Sequence, residues 1–132
     1  MPIIAQESQR FSNVIKHEHD PSSKYCRETV TVNEDDAKTY TVGMVLGKVT
    51  ATGKYKVSVQ SASDGSQNPV AIVVLDQTIA ATTDTKVPVI ARGPVILSKA
   101  GLMLDTTFND ATKKAAAYAS LQALGILVND AV

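Results

Sequence analysis

The stretch GMVLGKVTATGKYKVSV, residues 43–59, decides the fold class. Its first half is rich in β-branched and aliphatic residues, and its second half alternates apolar and polar residues, as half-buried strands do. The ATG at residues 51–53 has the composition of a tight turn. The stretch therefore predicts two short strands joined by a turn, with Tyr55, Val57 and Val59 on one face of the second strand.

Similar strands are predicted on both sides of this stretch. The ETVTV at residues 28–32 alternates and stops at NEDD. The continuous apolar run VAIVVL at residues 70–75 predicts a strand that is covered on both faces. Strands are also predicted at 85–91 and 95–97, and Pro88 suggests that the first of these is an edge strand or is bulged there. Short strands at this spacing predict a small barrel or sandwich.

The C-terminal part has a helical pattern. Asn109 or Asp110 can cap a helix over about residues 110–124, where alanine-rich sequence gives a high helix propensity. One face of this helix would carry Ala117, Leu121 and Leu124. Gly125 suits the position after a helix end, and the ILV at 126–128 predicts a terminal strand or a buried tail. The predicted fold class is thus mostly β with one C-terminal α-helix (α+β).

Residues 1–26 differ in composition from the rest of the chain. They are polar and show no sustained period, and the DPSS at 20–23 indicates a turn or linker. We interpret residues 1–26 as an extended N-terminal arm and residues 27–132 as one β-rich domain. The arm carries isolated apolar residues that we expect to act as anchors on a partner surface: Ile3, Ile4, Phe11, Val14 and Ile15.

Composition excludes several classes of partner. Thirteen basic residues balance thirteen acidic ones, so nothing indicates the clustered positive charge that nucleic-acid binding requires. No apolar run approaches the roughly 18 residues of a membrane span, and the N-terminus does not resemble a secretory signal. Cys26 is the only cysteine, which excludes an intrachain disulfide. We expect a protein that is made in a cytosol-like compartment.

The residues that could carry chemistry do not form a recognisable set. His17, His19 and Cys26 could contribute to a metal site, but no further cysteine pair completes a zinc set. No histidine lies in the predicted body to activate Cys26 as a nucleophile. The aspartates near turns are expected to hydrogen-bond their own backbone: Asp64, Asp76, Asp84 and Asp105. We therefore predict no enzyme activity, no cofactor and no resident metal.

An ordered series of segments resembles the bacteriophage head decoration proteins, a family that includes the lambda capsid-stabilising protein. The resemblance covers about residues 25–128 and depends on the order of its parts, because none of them is diagnostic alone. The matching segments are residues 43–55, 64–67, 71–75, 91–94 and 123–126. The N-terminal part departs from the lambda member, since it is not rich in Pro, Thr and Ala, and that member's detailed arm contacts are not carried over.

The resemblance implies a function in assembly. It implies a homotrimer on the outer surface of the virion, at threefold and quasi-threefold positions of the expanded head, where it holds neighbouring major capsid proteins against internal DNA pressure. It also implies an arm that orders on the shell and can add a strand to a capsid sheet. Two alternatives remain open: another virion β-protein, such as a tail-tube or fibre-associated subunit, and a small ligand-binding or enzymatic β-barrel.

Overall fold

The two strands predicted at residues 43–59 lie in a closed five-stranded barrel in the computed structural model, which describes residues 15–18 and 25–129. The fold is mostly β with one C-terminal helix, as the sequence predicts. The strands of the described part are β1 Ile15–Glu18, β2 Arg27–Val32, β3 Lys38–Tyr40, β4 Val45–Lys48, β5 Tyr55–Val57, β6 Pro69–Val73, β7 Gln77–Ile79, β8 Thr85–Ile90, β9 Val95–Ser98 and β10 Ile126–Asn129.

The barrel has the strand order β2-β5-β4-β6-β8. The predicted turn is confirmed, because β4 and β5 pair antiparallel with Leu46 opposite Val57. A parallel contact between Val32 of β2 and Tyr55 of β5 closes the ring. The β4–β6 register shifts next to Gly47, where a side chain would collide with backbone, since an added Cβ would lie 2.0 Å from the Ser66 carbonyl oxygen.

Two apolar cores follow from the alternation of side chains along the strands. One cluster receives residues from all five barrel strands and therefore fills the barrel interior. The second cluster lies outside, between the barrel, the helix and a second sheet. The strand at 69–73 contributes to both, because Ala71 and Val73 belong to the interior cluster and Ile72 to the outer one. This confirms that it is covered on both faces.

The prediction that β8 is an edge strand or is bulged at Pro88 is wrong. β8 pairs with β2 in an unbroken register from Thr85 to Ile90 and with β6 on its other side. The Pro88 carbonyl accepts a hydrogen bond from the Val74 N–H (3.5 Å), so the backbone of Pro88 faces the β6 side. Because β6 pairs no further than Val73, the missing N–H of Pro88 interrupts no ladder there.

The second sheet has the order β1-β9-β10, with β1 antiparallel and β10 parallel to β9. The helix, α1, spans Ala111–Gln122, and the Asp110 carboxylate caps it by accepting the Lys113 N–H at 2.8 Å. The helix is shorter than the predicted 110–124, and Leu124 is exposed whereas Ala117 and Leu121 are buried. Gly125 follows with φ of +84° and leads directly into β10, which confirms the predicted terminal strand.

A two-stranded ribbon of β3 and β7 completes the fold. Its residues Tyr40 and Ile79 are fully buried and belong to the interior cluster of the barrel. No sequence pattern predicts this ribbon, since each of its strands has three residues and most of them are polar.

Candidate functional site

The strand β1 joins the predicted arm to the body. It lies at the edge of the second sheet and pairs with β9, with Ile15 opposite Leu97. The Ile15 side chain is buried in the outer core cluster together with Leu97 and Leu121. Residues 15–18 thus pack on the body although they fall within the predicted arm, and the domain boundary at residue 26 stays a prediction.

An ion pair fixes the other end of β1. Arg27 at the start of β2 donates two hydrogen bonds to the Glu18 carboxylate, Nε to Oε2 at 2.9 Å and Nη2 to Oε1 at 2.8 Å. The Glu18 side chain is 4% exposed and the Arg27 side chain 29%. The hydrogen bonds to Glu18 raise the pKa of the Arg27 guanidinium. This two-pronged pairing holds β1 to the barrel as well as to β9.

The predicted anchors fall on both sides of the boundary of the described part. Ile3, Ile4, Phe11 and Val14 lie outside the described residues. Ile15 is described and is 6% exposed. Contact between Ile15 and a capsid would require β1 to leave β9, so Ile15 contributes to the stability of the body in this structure, and its role as an anchor stays a prediction.

A cleft of about 770 Å³, which was not predicted from the sequence, lies beside the helix. One wall is the segment that follows the 3-10 turn Lys99–Gly101, and the other is one face of α1. We call it the helix groove; its lining includes Leu102, Met103, Leu104, Phe108, Ala115 and Tyr118. The sequence signal is the apolar LML at 102–104, which belongs to no strand. Met103 is 44% exposed, so the groove presents apolar surface to solvent.

A buried carboxylate connects the β3–β7 ribbon to the barrel. Glu34 is 1% exposed and accepts hydrogen bonds from the Tyr40 hydroxyl and from the Val57 N–H, the latter at 2.8 Å. Burial, followed by the hydrogen bond to Glu34, raises the pKa of Tyr40. Because both partners of Glu34 are structural groups of the core, the arrangement anchors the ribbon to β5.

The residues considered for metal binding or nucleophilic chemistry are separated or buried. Cys26 is fully buried, and its Sγ contacts the Pro94 carbonyl oxygen at 3.7 Å. The backbone of His17 lies in β1, and His19 is outside the described residues. Within residues 15–18 and 25–129, no group of three or more His, Cys, Asp and Glu side chains is placed to hold a metal ion.

Two of the four turn aspartates, Asp64 and Asp105, hydrogen-bond to neighbouring residues as predicted. Asp64 accepts from the Ser66 N–H and hydroxyl, and the hydroxyl bond is the main cause that lowers the pKa of Asp64. Asp105 binds Thr107 in the same way.

The prediction is wrong for the other two aspartates, Asp76 and Asp84, whose side chains bind groups distant in the sequence. Asp76 accepts the Val42 N–H at 3.0 Å. The pKa of Asp84 is lowered by the Asn33 amide and then by Lys54, whose Nζ lies 3.0 Å away.

Further apolar side chains are exposed away from the groove. Leu124 and Leu127 flank the helix end, and Leu75 follows β6; all three are at least 37% exposed. Such residues are candidates for contacts with other chains. In the described part of the chain no helix has the length and hydropathy needed to cross a membrane.

Comparison with known proteins identifies the family. No curated protein matches the chain significantly. The sequence-family model described as bacteriophage lambda head decoration protein D matches residues 4–126, which include the barrel, the second sheet up to Ile126 and the helix. This match favours the resemblance noted from the sequence over the tail-tube, fibre and ligand-binding alternatives. The chain belongs to the bacteriophage lambda head decoration protein D family.

Proposed function

We propose that this protein binds the outer surface of the expanded head shell as a homotrimer, at threefold and quasi-threefold positions, and stabilises the shell against internal DNA pressure. The family match over residues 4–126 carries the proposal, because decoration of a phage head is what defines that family. The protein acts through binding to the major capsid protein and has no catalytic role.

The position of β1 supports separate roles for the arm, which would bind the shell, and the body, which would form the trimer. β1 is the edge strand of its sheet, and it is held by Ile15 in the core and by the Glu18–Arg27 pair. Residues before Ile15 therefore start from a fixed point on the body. An arm that starts from a fixed point loses less conformational freedom on binding than one attached through a long linker.

Trimer formation would multiply arm contacts that are weak individually. Three arms on one trimer act at high effective concentration, so that modest contacts by Ile3, Ile4, Phe11 and Val14 can give tight attachment. Backbone hydrogen bonds from strand addition to a capsid sheet would add affinity without requiring particular side chains. The exposed Leu124 and Leu127 are candidates for contacts between copies.

Sedimentation of the purified protein with capsid shells tests the proposal. We expect the protein to pellet with expanded shells and to stay in the supernatant with unexpanded proheads. Equal binding to both, or binding to neither, would contradict it. Decorated shells should also withstand a higher temperature or a lower salt concentration before rupture than bare expanded shells.

A truncation tests the role of the arm. The cut belongs after Val14, because removing β1 would also remove Ile15 from the core and Glu18 from Arg27. The protein that lacks residues 1–14 should fold and form trimers but lose affinity for expanded shells. Unchanged affinity would show that the arm is not the binding element.

A further inference from the structure

We propose that isoaspartate forms spontaneously at Asp64–Gly65 when the loop over residues 64–67 opens, and that the hydrogen bonds of the closed loop suppress this modification. The loop lies between β5 and β6 of the barrel. The proposal goes beyond capsid binding, since it concerns the chemical durability of the chain itself.

The dipeptide at this position is chemically labile. An aspartate followed by glycine isomerises readily, because glycine has no side chain to hinder the approach of its nitrogen to the aspartate carboxyl group. The chain has seven glycines, and Gly65 alone follows an Asp or Asn. Asp64 is also exposed, so water can reach it. The sequence therefore offers one principal site for this reaction.

The reaction is an isomerisation in two steps. The backbone nitrogen of Gly65 attacks Cγ of Asp64, and the carboxyl group loses its OH, which leaves as water with the amide proton. In the resulting succinimide, water adds to the α-carbonyl carbon of Asp64; the bond from that carbon to the nitrogen breaks, and the nitrogen takes up a proton. The Cγ–N bond remains, so the backbone gains one methylene group, and neither an oxidant nor a reductant takes part.

The fold requires glycine at position 65. Gly65 has φ of +103°, and a Cβ there would lie 2.2 Å from Oγ1 of Thr50 and 2.9 Å from the Lys48 carbonyl oxygen. The Asp64 carbonyl accepts the Thr50 N–H at 2.9 Å, which ties the loop to the segment that follows β4. A side chain at position 65 would hinder the reaction but would break this contact, so protection has to come from other residues.

Ser66 protects the carboxyl group. Its hydroxyl and its N–H both donate to Oδ1 of Asp64, at 2.5 and 3.0 Å, and Ser66 is fully buried. The hydrogen bond from the hydroxyl, and then that from the N–H, lower the pKa of Asp64 and favour its ionised form. An ionised carboxylate is a poor target for the nitrogen, because it has no OH that can leave as water.

Gln67 holds the attacking nitrogen. The Gly65 N–H donates to Oε1 of Gln67 at 2.8 Å, and the Asn68 N–H donates to the Gly65 carbonyl at 3.3 Å. Attack requires the Gly65 nitrogen to lose its proton and to approach Cγ, which breaks the hydrogen bond to Gln67. Both reacting groups are thus engaged in the closed loop, and the reaction depends on local opening of the loop.

Labelling in water enriched in heavy oxygen tests the proposal. Hydrolysis of the succinimide adds one oxygen atom from the solvent, so each turnover leaves a heavy oxygen at residue 64, which peptide mapping by mass spectrometry locates. The full chain is incubated in native buffer and in urea at the same pH and temperature. We expect labelling at residue 64 to be many-fold slower in the folded protein than in urea, where the loop is open.

Two variants test the hydrogen bonds in native buffer. Gln67→Ala removes the acceptor of the Gly65 N–H, and Ser66→Ala removes one donor to the carboxylate, so each should increase the labelling rate several-fold. Gln122→Ala is the matched control, since Gln122 is exposed on α1 away from the loop, and it should label at the wild-type rate. Circular dichroism and urea denaturation establish that each variant is folded under the labelling conditions.

Three results would overturn the proposal. They are equal labelling of the folded and unfolded wild-type chain, no label at residue 64 in urea, and wild-type labelling rates in a folded Gln67→Ala or Ser66→Ala variant. The first two use the wild-type chain, so the test remains decisive even where a variant fails to fold. Because no shell takes part, failure here leaves the capsid-binding proposal untouched.

Discussion

The ion pair between Glu18 and Arg27 gives a quantitative prediction, because it decides whether β1 belongs to the body. Arg27→Ala removes two hydrogen bonds from a carboxylate that is 4% exposed. The Glu18 carboxylate would then be buried without its partner. The free-energy cost of leaving the Glu18 carboxylate buried without a partner should therefore determine the stability of Arg27→Ala, rather than any change in the barrel.

The expected loss is about 2–3 kcal/mol of unfolding free energy. Breaking a fully buried ion pair by removing one partner costs about 3–5 kcal/mol, and hydrogen bonds to charged groups contribute about 1.5–3 kcal/mol. The Arg27 side chain is 29% exposed, so water can partly replace its hydrogen bonds to Glu18. The expected loss of stability therefore lies at or below the lower end of the range for a fully buried pair. Adding Glu18→Ala to Arg27→Ala should recover part of the loss, since the unpaired carboxylate is then gone.

Urea denaturation followed by circular dichroism measures this loss, and Arg92→Ala is the matched control. Arg92 binds Glu28 at 2.6 Å, but both side chains are more than 40% exposed, so its loss should cost about 0–1 kcal/mol. Hydrogen exchange should show faster exchange of the β1 amides in Arg27→Ala. Equal stability of the two arginine variants would refute the reasoning that burial makes the Glu18–Arg27 pair contribute more to stability than the Glu28–Arg92 pair.

Three further predictions concern the barrel and its pH dependence. Gly47→Ala should lower the unfolding free energy by about 1–3 kcal/mol or more, because its Cβ would meet the Ser66 carbonyl, and urea denaturation measures it. Because the pKa of Tyr40 is raised in the folded protein, the folded chain keeps the hydroxyl proton of Tyr40 above pH 10.0, the ordinary pKa, whereas the unfolded chain loses it. The unfolding free energy should therefore fall as the pH rises past 10, and it should fall less steeply in Tyr40→Phe. Because the pKa of Asp84 is lowered in the folded protein, its contribution to stability is present above pH 3.8 and is lost as the pH falls through the pKa of the folded state. In thermal melts, Asp84→Asn should therefore show a smaller decrease of the melting temperature at acidic pH.

Features set by local sequence were predictable. Asp110 caps the helix because a side chain before a helical run can accept its free N–H groups, and the strand at 69–73 is continuous in apolar residues because both of its faces are covered. The β4–β6 register shifts at Gly47, and a glycine inside a strand often marks such a bulge.

Features set by contacts distant in sequence were not predictable. The four residues of β1 show no alternation of their own, and they form a strand because β9, about 80 residues later, supplies the partner. Glu34 stands in a run of acidic residues typical of a solvated turn, yet it is buried against Tyr40. The helix groove arises where the 102–104 segment meets α1, and no local pattern encodes that meeting.

An image reconstruction of shells mixed with this protein tests the central claim most directly. The account predicts added density on the outer surface of expanded shells, as three copies of the barrel around each threefold and quasi-threefold axis, with residues before Ile15 extended toward the major capsid protein. Density at the tail, on the inner surface or at no fixed position of the shell would contradict it.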